Sequence, residues 1–178
     1  INSSTNRIIQ NEGISKGSLF KYFKSKEELY FYILDTVIME LTTDLEKNFV
    51  DLPSDLFERT IKYSELEFAW YIKYPDKCKL ITTAFSKDDD TLRSKIEKRY
   101  KTQGENIYYK TLENIDTATL RWDKHRTAEI LKWFLLGFKE DFISKMNTEN
   151  SVDTLQREFA KKLKDYIEIL KFGLETKK

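Results

Sequence analysis

Asn11-Glu12-Gly13-Ile14-Ser15-Lys16-Gly17-Ser18-Leu19-Phe20-Lys21-Tyr22-Phe23-Lys24-Ser25-Lys26-Glu27-Glu28-Leu29 decides how the chain reads. A short helix containing Ile8 and Ile9 is expected to stop at Gly13, which supplies a positive-φ corner that a Cβ would penalise. Ile14 plugs the corner, and Ser15 caps a second helix by accepting from its free N–H groups. That helix presents Lys16, Ser18, Lys21 and Tyr22. Residues 15–26 hold four lysines and no acid. A compact cationic face behind a helix-turn-helix corner is the footprint of phosphate contact. The plain alternative is an ordinary solvated helix face.

Working outward, Ser25 caps a long helix in which Leu29, Ile33, Val37, Leu41 and Leu45 recur every four residues. Lys26 at its start opposes the helix dipole, a local penalty understandable if the ammonium grips a phosphate. Leu52-Pro53-Ser54 breaks the chain. The next helix groups Phe57, Ile61, Ser64, Phe68 and Tyr71 on one side and ends at Tyr74-Pro75. A short helix through Leu80 to Phe85 follows. Asp90 then caps a long helix along Leu92, Ile96, Tyr100, Ile107 and Leu112, and 114–123 reads as a loop. Two last helices run from Ala128 to Met146 and along Leu155, Phe159, Leu163, Ile167, Leu170 and Leu174.

The 178 residues are enough to bury a real core in one or two small domains. Two prolines, five glycines and a 34% charged fraction suit an all-helical protein. With a net charge of only +1, any affinity for nucleic acid must be local. A single cysteine, Cys78, excludes an intrachain disulfide and suits a reducing cytosol, hence a cytoplasmic reading. No apolar run approaches the roughly 20 residues of a membrane span. No secretory signal is visible in the residues from Ile1 onward, and there is no nucleophile beside a base, no His/Cys metal spacing and no phosphate-cradling glycine loop. His125, the one histidine, stands among charges in Trp122-Asp123-Lys124-His125-Arg126. These residues point to no catalytic site, cofactor or metal.

Gly13 to Phe23 resembles the "AGVSKGTLYxYF" recognition-helix signature of the TetR family of bacterial transcriptional regulators. Ser25-Lys26-Glu27-Glu28-Leu29 is similar to the "sKeeL" that opens that family's fourth helix. Trp133 to Phe138 and Tyr166 to Leu174 are similar to its "llalldGl" and C-terminal "yleillkGl" segments. Phe20 stands where the family usually has Tyr, which removes a hydroxyl and makes this position a packing residue. The family's first helix has no counterpart before Ile1, so the sequence reads as lacking its natural N-terminus.

The resemblance implies an all-α fold, with a helix-turn-helix head at 1–28 and a larger ligand-binding and dimerisation body at 29–178. It implies a homodimer on double-stranded operator DNA, most simply a repressor released by a small hydrophobic effector. The DNA-contacting set is Ser15, Lys16, Gly17, Ser18, Lys21, Tyr22 and Lys26. Aromatic residues make up 14% of the chain, and an aromatic-lined cavity is expected around Tyr63, Glu67, Trp70, Tyr71 and Phe85, with Tyr100, Tyr108, Trp133 and Phe134. Plain core packing is the competing use of those rings. The dimer contact is expected through Leu131, Leu135, Gly137, Phe138 and Phe142 of one helix and Leu163, Ile167 and Leu170 of the next. A reading of a different kind is a helical scaffold whose helix-turn-helix is only a structural corner and binds no DNA.

Overall fold

Ser25 begins the first long helix as the sequence leads one to expect. Its Oγ accepts from the Glu28 N–H at 3.1 Å, while the Glu28 carboxylate accepts from the Lys24 N–H at 2.6 Å. Two free donors are thus satisfied reciprocally, and Glu27 and Glu28 complement the helix dipole. The computed structural model describes Gly17 and residues 21–85, 90–145 and 152–174. The expected Ile8–Ile9 helix, the Gly13 corner and the Ser15 cap lie outside these residues.

From Lys26 onward the described fold consists of six α-helices: α1 Lys26–Glu46, α2 Leu56–Lys73, α3 Pro75–Ala84, α4 Asp90–Thr111, α5 Lys124–Lys145 and α6 Val152–Leu174. There is no strand among the described residues, and a single 3-10 turn at Phe49–Asp51 follows α1. The chain divides into two compact units, 1–40 and 41–178. This division falls inside α1, whereas the sequence reading divides the chain where that helix begins.

In the first unit, Phe23 packs on Tyr32 with ring centroids 5.2 Å apart. Leu29, Leu34 and Val37 are buried, and Ile33 is exposed. Counting in strict fours drifts off a 3.6-residue helix, so Leu34 takes the inner place the sequence reading gives to Ile33.

In the second unit, the side of α2 bearing Phe57, Ser64 and Phe68 packs against α6. Phe68 and Phe159 stack face to face at 3.9 Å, and Phe142 of α5 meets both rings edge-on. Leu155, Phe159, Leu163 and Ile167 are buried along the expected stripe of α6. Removing these rings and aliphatic chains from water is the main term holding the three helices together.

Local chemistry sets the helix ends. Asp55 caps α2 by accepting from Phe57 N–H (2.9 Å) and Glu58 N–H (2.8 Å). Pro75 is the first residue of α3, where its missing N–H goes unneeded. α3 therefore follows α2 directly, with no linker before Leu80. Asp123 caps α5 through the Arg126 N–H at 3.0 Å, so that helix starts four residues before the expected Ala128.

Candidate effector cavity and nucleic-acid interface

α2 has a second face. Leu56, Arg59, Thr60, Tyr63 and Glu67, at helical spacing, turn toward α4 and α5 and line a cavity of about 230 Å³. α4 contributes Gly104, Ile107, Tyr108 and Thr111. α5 contributes Leu131, Leu135 and Leu136 with two lysines, Lys132 and Lys139. The wall is mostly apolar, with a few placed polar groups, as small-molecule sites are.

Those polar groups are tightly organised. Lys139 and Glu67 form an ion pair with only 17% and 14% of their side chains exposed. Glu67 also accepts from the Tyr71 hydroxyl at 2.9 Å. Burial first, and then the neighbouring Glu67 charge, raise the Tyr63 and Tyr71 phenols well above the ordinary phenol range, so both stay protonated donors. The Lys139 ammonium lies 5.8 Å from the Tyr63 ring centroid, and that of Lys132 lies 5.5 Å from the Tyr108 ring centroid. Both contacts are in cation–π range.

Arg59 is the anchor at one end, buried to 7% exposure. Its guanidinium donates to the carbonyls of Pro53 (2.5 Å), Glu113 (2.7 Å), Thr111 (3.2 Å) and Leu52 (3.3 Å). It thereby ties the start of α2 to the carbonyl-rich end of α4, where orphan acceptors need donors. Burial lowers the Arg59 pKa, and the Glu113 charge opposes that shift.

Three of the nine expected effector residues, Tyr63, Glu67 and Tyr108, line the cavity, and Tyr71 reaches it through Glu67. Trp70 instead donates its indole N–H to Asp44 at 3.3 Å and packs on Tyr74. Phe85 and Tyr100 pair with each other, and Phe134 packs against Phe138 and Tyr166. Trp133 is 62% exposed. The sequence reading missed Arg59, Lys132 and Lys139. Their signal was the helical spacing of Arg59, Tyr63 and Glu67 opposite the Phe57–Phe68 side.

Of the expected dimer residues, Leu131, Phe138, Phe142, Leu163 and Ile167 are buried within the single chain. Leu135 and Leu170 are half-buried, and Gly137 is exposed with open space where a Cβ would stand. Among the described residues, the large apolar side chains that α5 and α6 leave exposed are Trp133, Leu136, Val152, Tyr166, Ile169 and Phe172.

Of the expected DNA-contacting residues, Gly17, Lys21 and Tyr22 are helical. Lys21 and Lys26 are exposed, as is Tyr22 at 76%. Ser15, Lys16 and Ser18 lie outside the described residues. Among the described residues no helix is long and apolar enough to cross a membrane, and no cluster of His, Cys, Asp or Glu is placed to hold a metal ion.

Comparison with known proteins supplies the context. A TetR family regulator from Chloroflexus aurantiacus J-10-FL, solved as a crystal structure, superposes with a TM-score of 0.65 at 19% identity. The superposition covers 99% of this chain and 85% of that one. The nucleoid occlusion factor SlmA of Glaesserella parasuis serovar 5 (strain SH0165) is 27% identical over 96 residues. Those residues are 53% of this chain and 47% of the relative, so the match spans about half of each. Residues 2–33 match the family described as "Bacterial regulatory proteins, tetR family", and residues 54–175 match "Tetracyclin repressor-like, C-terminal domain". With both parts matched in order, the chain belongs to the TetR family of DNA-binding transcriptional regulators, which are not enzymes.

Proposed function

We propose that this regulator is a repressor released from its operator when a small effector fills the cavity between α2, α4 and α5. One observation carries the reading: the helices that line the cavity also hold the last turns of α1. Trp70 of α2 bonds Asp44 at 3.3 Å. From α4, Gln103 bonds Thr42 at 3.1 Å and Lys110 pairs with Glu46 at 2.6 Å. A ligand that re-seats α4 therefore pulls on Thr42 and Glu46, and α1 is one unbroken helix from there back to Lys26. The effector acts only if it favours the released state; equal affinity for both states shifts nothing, and a full switch needs roughly a 10⁴-fold preference.

Family members dimerise, and we place the contact here on the exposed Trp133, Leu136, Ile169 and Phe172 of α5 and α6. Large apolar side chains left exposed on adjacent helices suit a self-complementary two-fold interface. Such a dimer carries two heads for two half-sites about one turn of DNA apart.

The test uses duplex DNA from upstream of the protein's own gene, titrated by fluorescence anisotropy over a range of salt. Affinity should fall steeply with salt, and Lys21→Ala and Lys26→Ala should each reduce the slope by about one unit. Binding without salt dependence, or no binding to any duplex, would favour the scaffold reading instead.

A further inference from the structure

We propose that the cavity takes a compact amphipathic anion: a carboxylate on an apolar skeleton of modest size, its charge received by Lys139 and Lys132. This rests on reading the cavity as the effector site, and adds the chemical class of the effector.

Size comes first. At about 230 Å³ the space exceeds the roughly 150 Å³ cavity that admits benzene, yet falls below the approximate 300–1,000 Å³ of drug-sized sites. A single ring with a short side arm fits that interval, and Leu56, Ile107, Leu131 and Leu135 provide its apolar seat.

Charge decides the head group. Three cations, Arg59, Lys132 and Lys139, line the cavity against one acid, Glu67. The four Arg59 hydrogen bonds go to main-chain carbonyls, and the Glu113 charge acts on the same guanidinium, so Lys132 and Lys139 are the cations left to receive a ligand. Lys132 contacts a ring face rather than an acid. An incoming carboxylate can take the place of Glu67 on Lys139, while the Tyr71 hydroxyl keeps hold of the displaced Glu67. A cationic ligand would have to displace Lys139 from Glu67 and add a fourth positive charge beside Arg59, Lys132 and Lys139, which is electrostatically unfavourable.

The experiment is calorimetric titration of the full chain, without DNA, with 3-phenylpropanoate, 3-phenylpropan-1-ol and 3-phenylpropylamine, which share a skeleton and differ in head group. The carboxylate should bind at least about tenfold more tightly than the alcohol, in keeping with a charge-assisted hydrogen bond, and the amine least of all. Glu67→Gln frees Lys139 and should tighten the carboxylate, whereas Lys139→Met should reduce it to the level of the alcohol. Lys132→Met should weaken it less. If Lys139→Met does not fold, Glu67→Gln and Lys132→Met decide the matter. Tighter binding of the amine, a weaker carboxylate in Glu67→Gln, or no binding of the three at millimolar concentration would overturn the proposal. Because DNA is absent, carboxylate binding that fails to release the operator would count against the repressor reading and leave this one standing. Operator release by the amine alone would do the reverse.

Discussion

Replacing Arg59 with leucine removes the donor of four hydrogen bonds and leaves the carbonyls of Leu52, Pro53, Thr111 and Glu113 to find other partners. The two short bonds, at 2.5 and 2.7 Å, carry most of the effect. A hydrogen bond to a charged group contributes about 1.5–3 kcal/mol, so the gross loss is about 3–6 kcal/mol. Relief of the buried guanidinium's desolvation returns part of this, and the leucine fills part of the space. The net destabilisation expected is about 3 kcal/mol, at the low end of the cost of removing one partner from a buried charged network. For a chain of this size each kcal/mol lowers Tm by about 2–4 °C, giving a fall of about 6–12 °C in a thermal melt followed by circular dichroism at 222 nm. Arg59→Lys keeps the charge but not the planar fork, and should lose roughly half as much. Lys62→Ala, on the exposed side of the same helix, should stay within about 0.5 kcal/mol of the parent. If Arg59→Leu also stays within that margin, the clamp between α2 and α4 is not a stabilising element and the reasoning fails.

Ser64 is fully buried between α2 and α6, and its hydroxyl has no hydrogen-bond partner among the described residues. Ser64→Ala should therefore be neutral or stabilising by up to about 1 kcal/mol, and a loss larger than that in urea unfolding would reveal a hidden acceptor. Burial first, and then the Glu67 charge, push the Cys78 thiol up to about 11 from its ordinary 9.0. The folded chain then holds this proton more tightly than the unfolded one, so the Cys78 contribution to stability is intact below pH 9 and is lost as pH rises through 11. Iodoacetamide at pH 8 should accordingly label Cys78 slowly in the native protein and quickly in urea. Ile169→Asp should convert a sedimenting dimer to a folded monomer at micromolar concentration, whereas Leu163→Ala, inside the core, should lower Tm without that conversion; an unchanged dimer in Ile169→Asp would move the interface elsewhere.

Helix positions were legible because they depend on neighbours in sequence. Ser25 as a cap, the break at Pro53 and the stripe from Leu155 to Ile167 each follow from chemistry within a few residues. The early start of α5 is legible in Asp123 as a cap, which a loop over 114–123 passes over. What one dimension conceals is which neighbour an apolar side faces. α5 carries Leu131, Trp133, Phe134, Leu135, Leu136 and Phe138 around most of its circumference, so spacing alone cannot assign core, cavity and outer surface among them. The structure buries Phe138 in the core, sets Leu131 and Leu135 on the cavity wall, leaves Trp133 outside, and has Leu136 line the cavity while staying largely exposed. A count of aromatic residues misleads in the same way. Phe68, Phe142 and Phe159 pack on each other and do not line the cavity between α2, α4 and α5, whose positive charges come from Arg59, Lys132 and Lys139, residue types that a search for rings passes over.

The two faces of α2 differ in compliance. On its inner side Phe68 is stacked on Phe159, and close-packed rings resist sliding because small displacements forfeit many contacts at once. The opposite wall, α4, is a highly charged helix whose buried apolar side chains are Ile96 and Tyr100, with Leu112 just past its end. Strain introduced into the space between them divides in inverse proportion to stiffness. On the effector reading proposed above, the rigid wall would act as an abutment and displacement would be delivered to α4, the wall that carries Gln103 and Lys110.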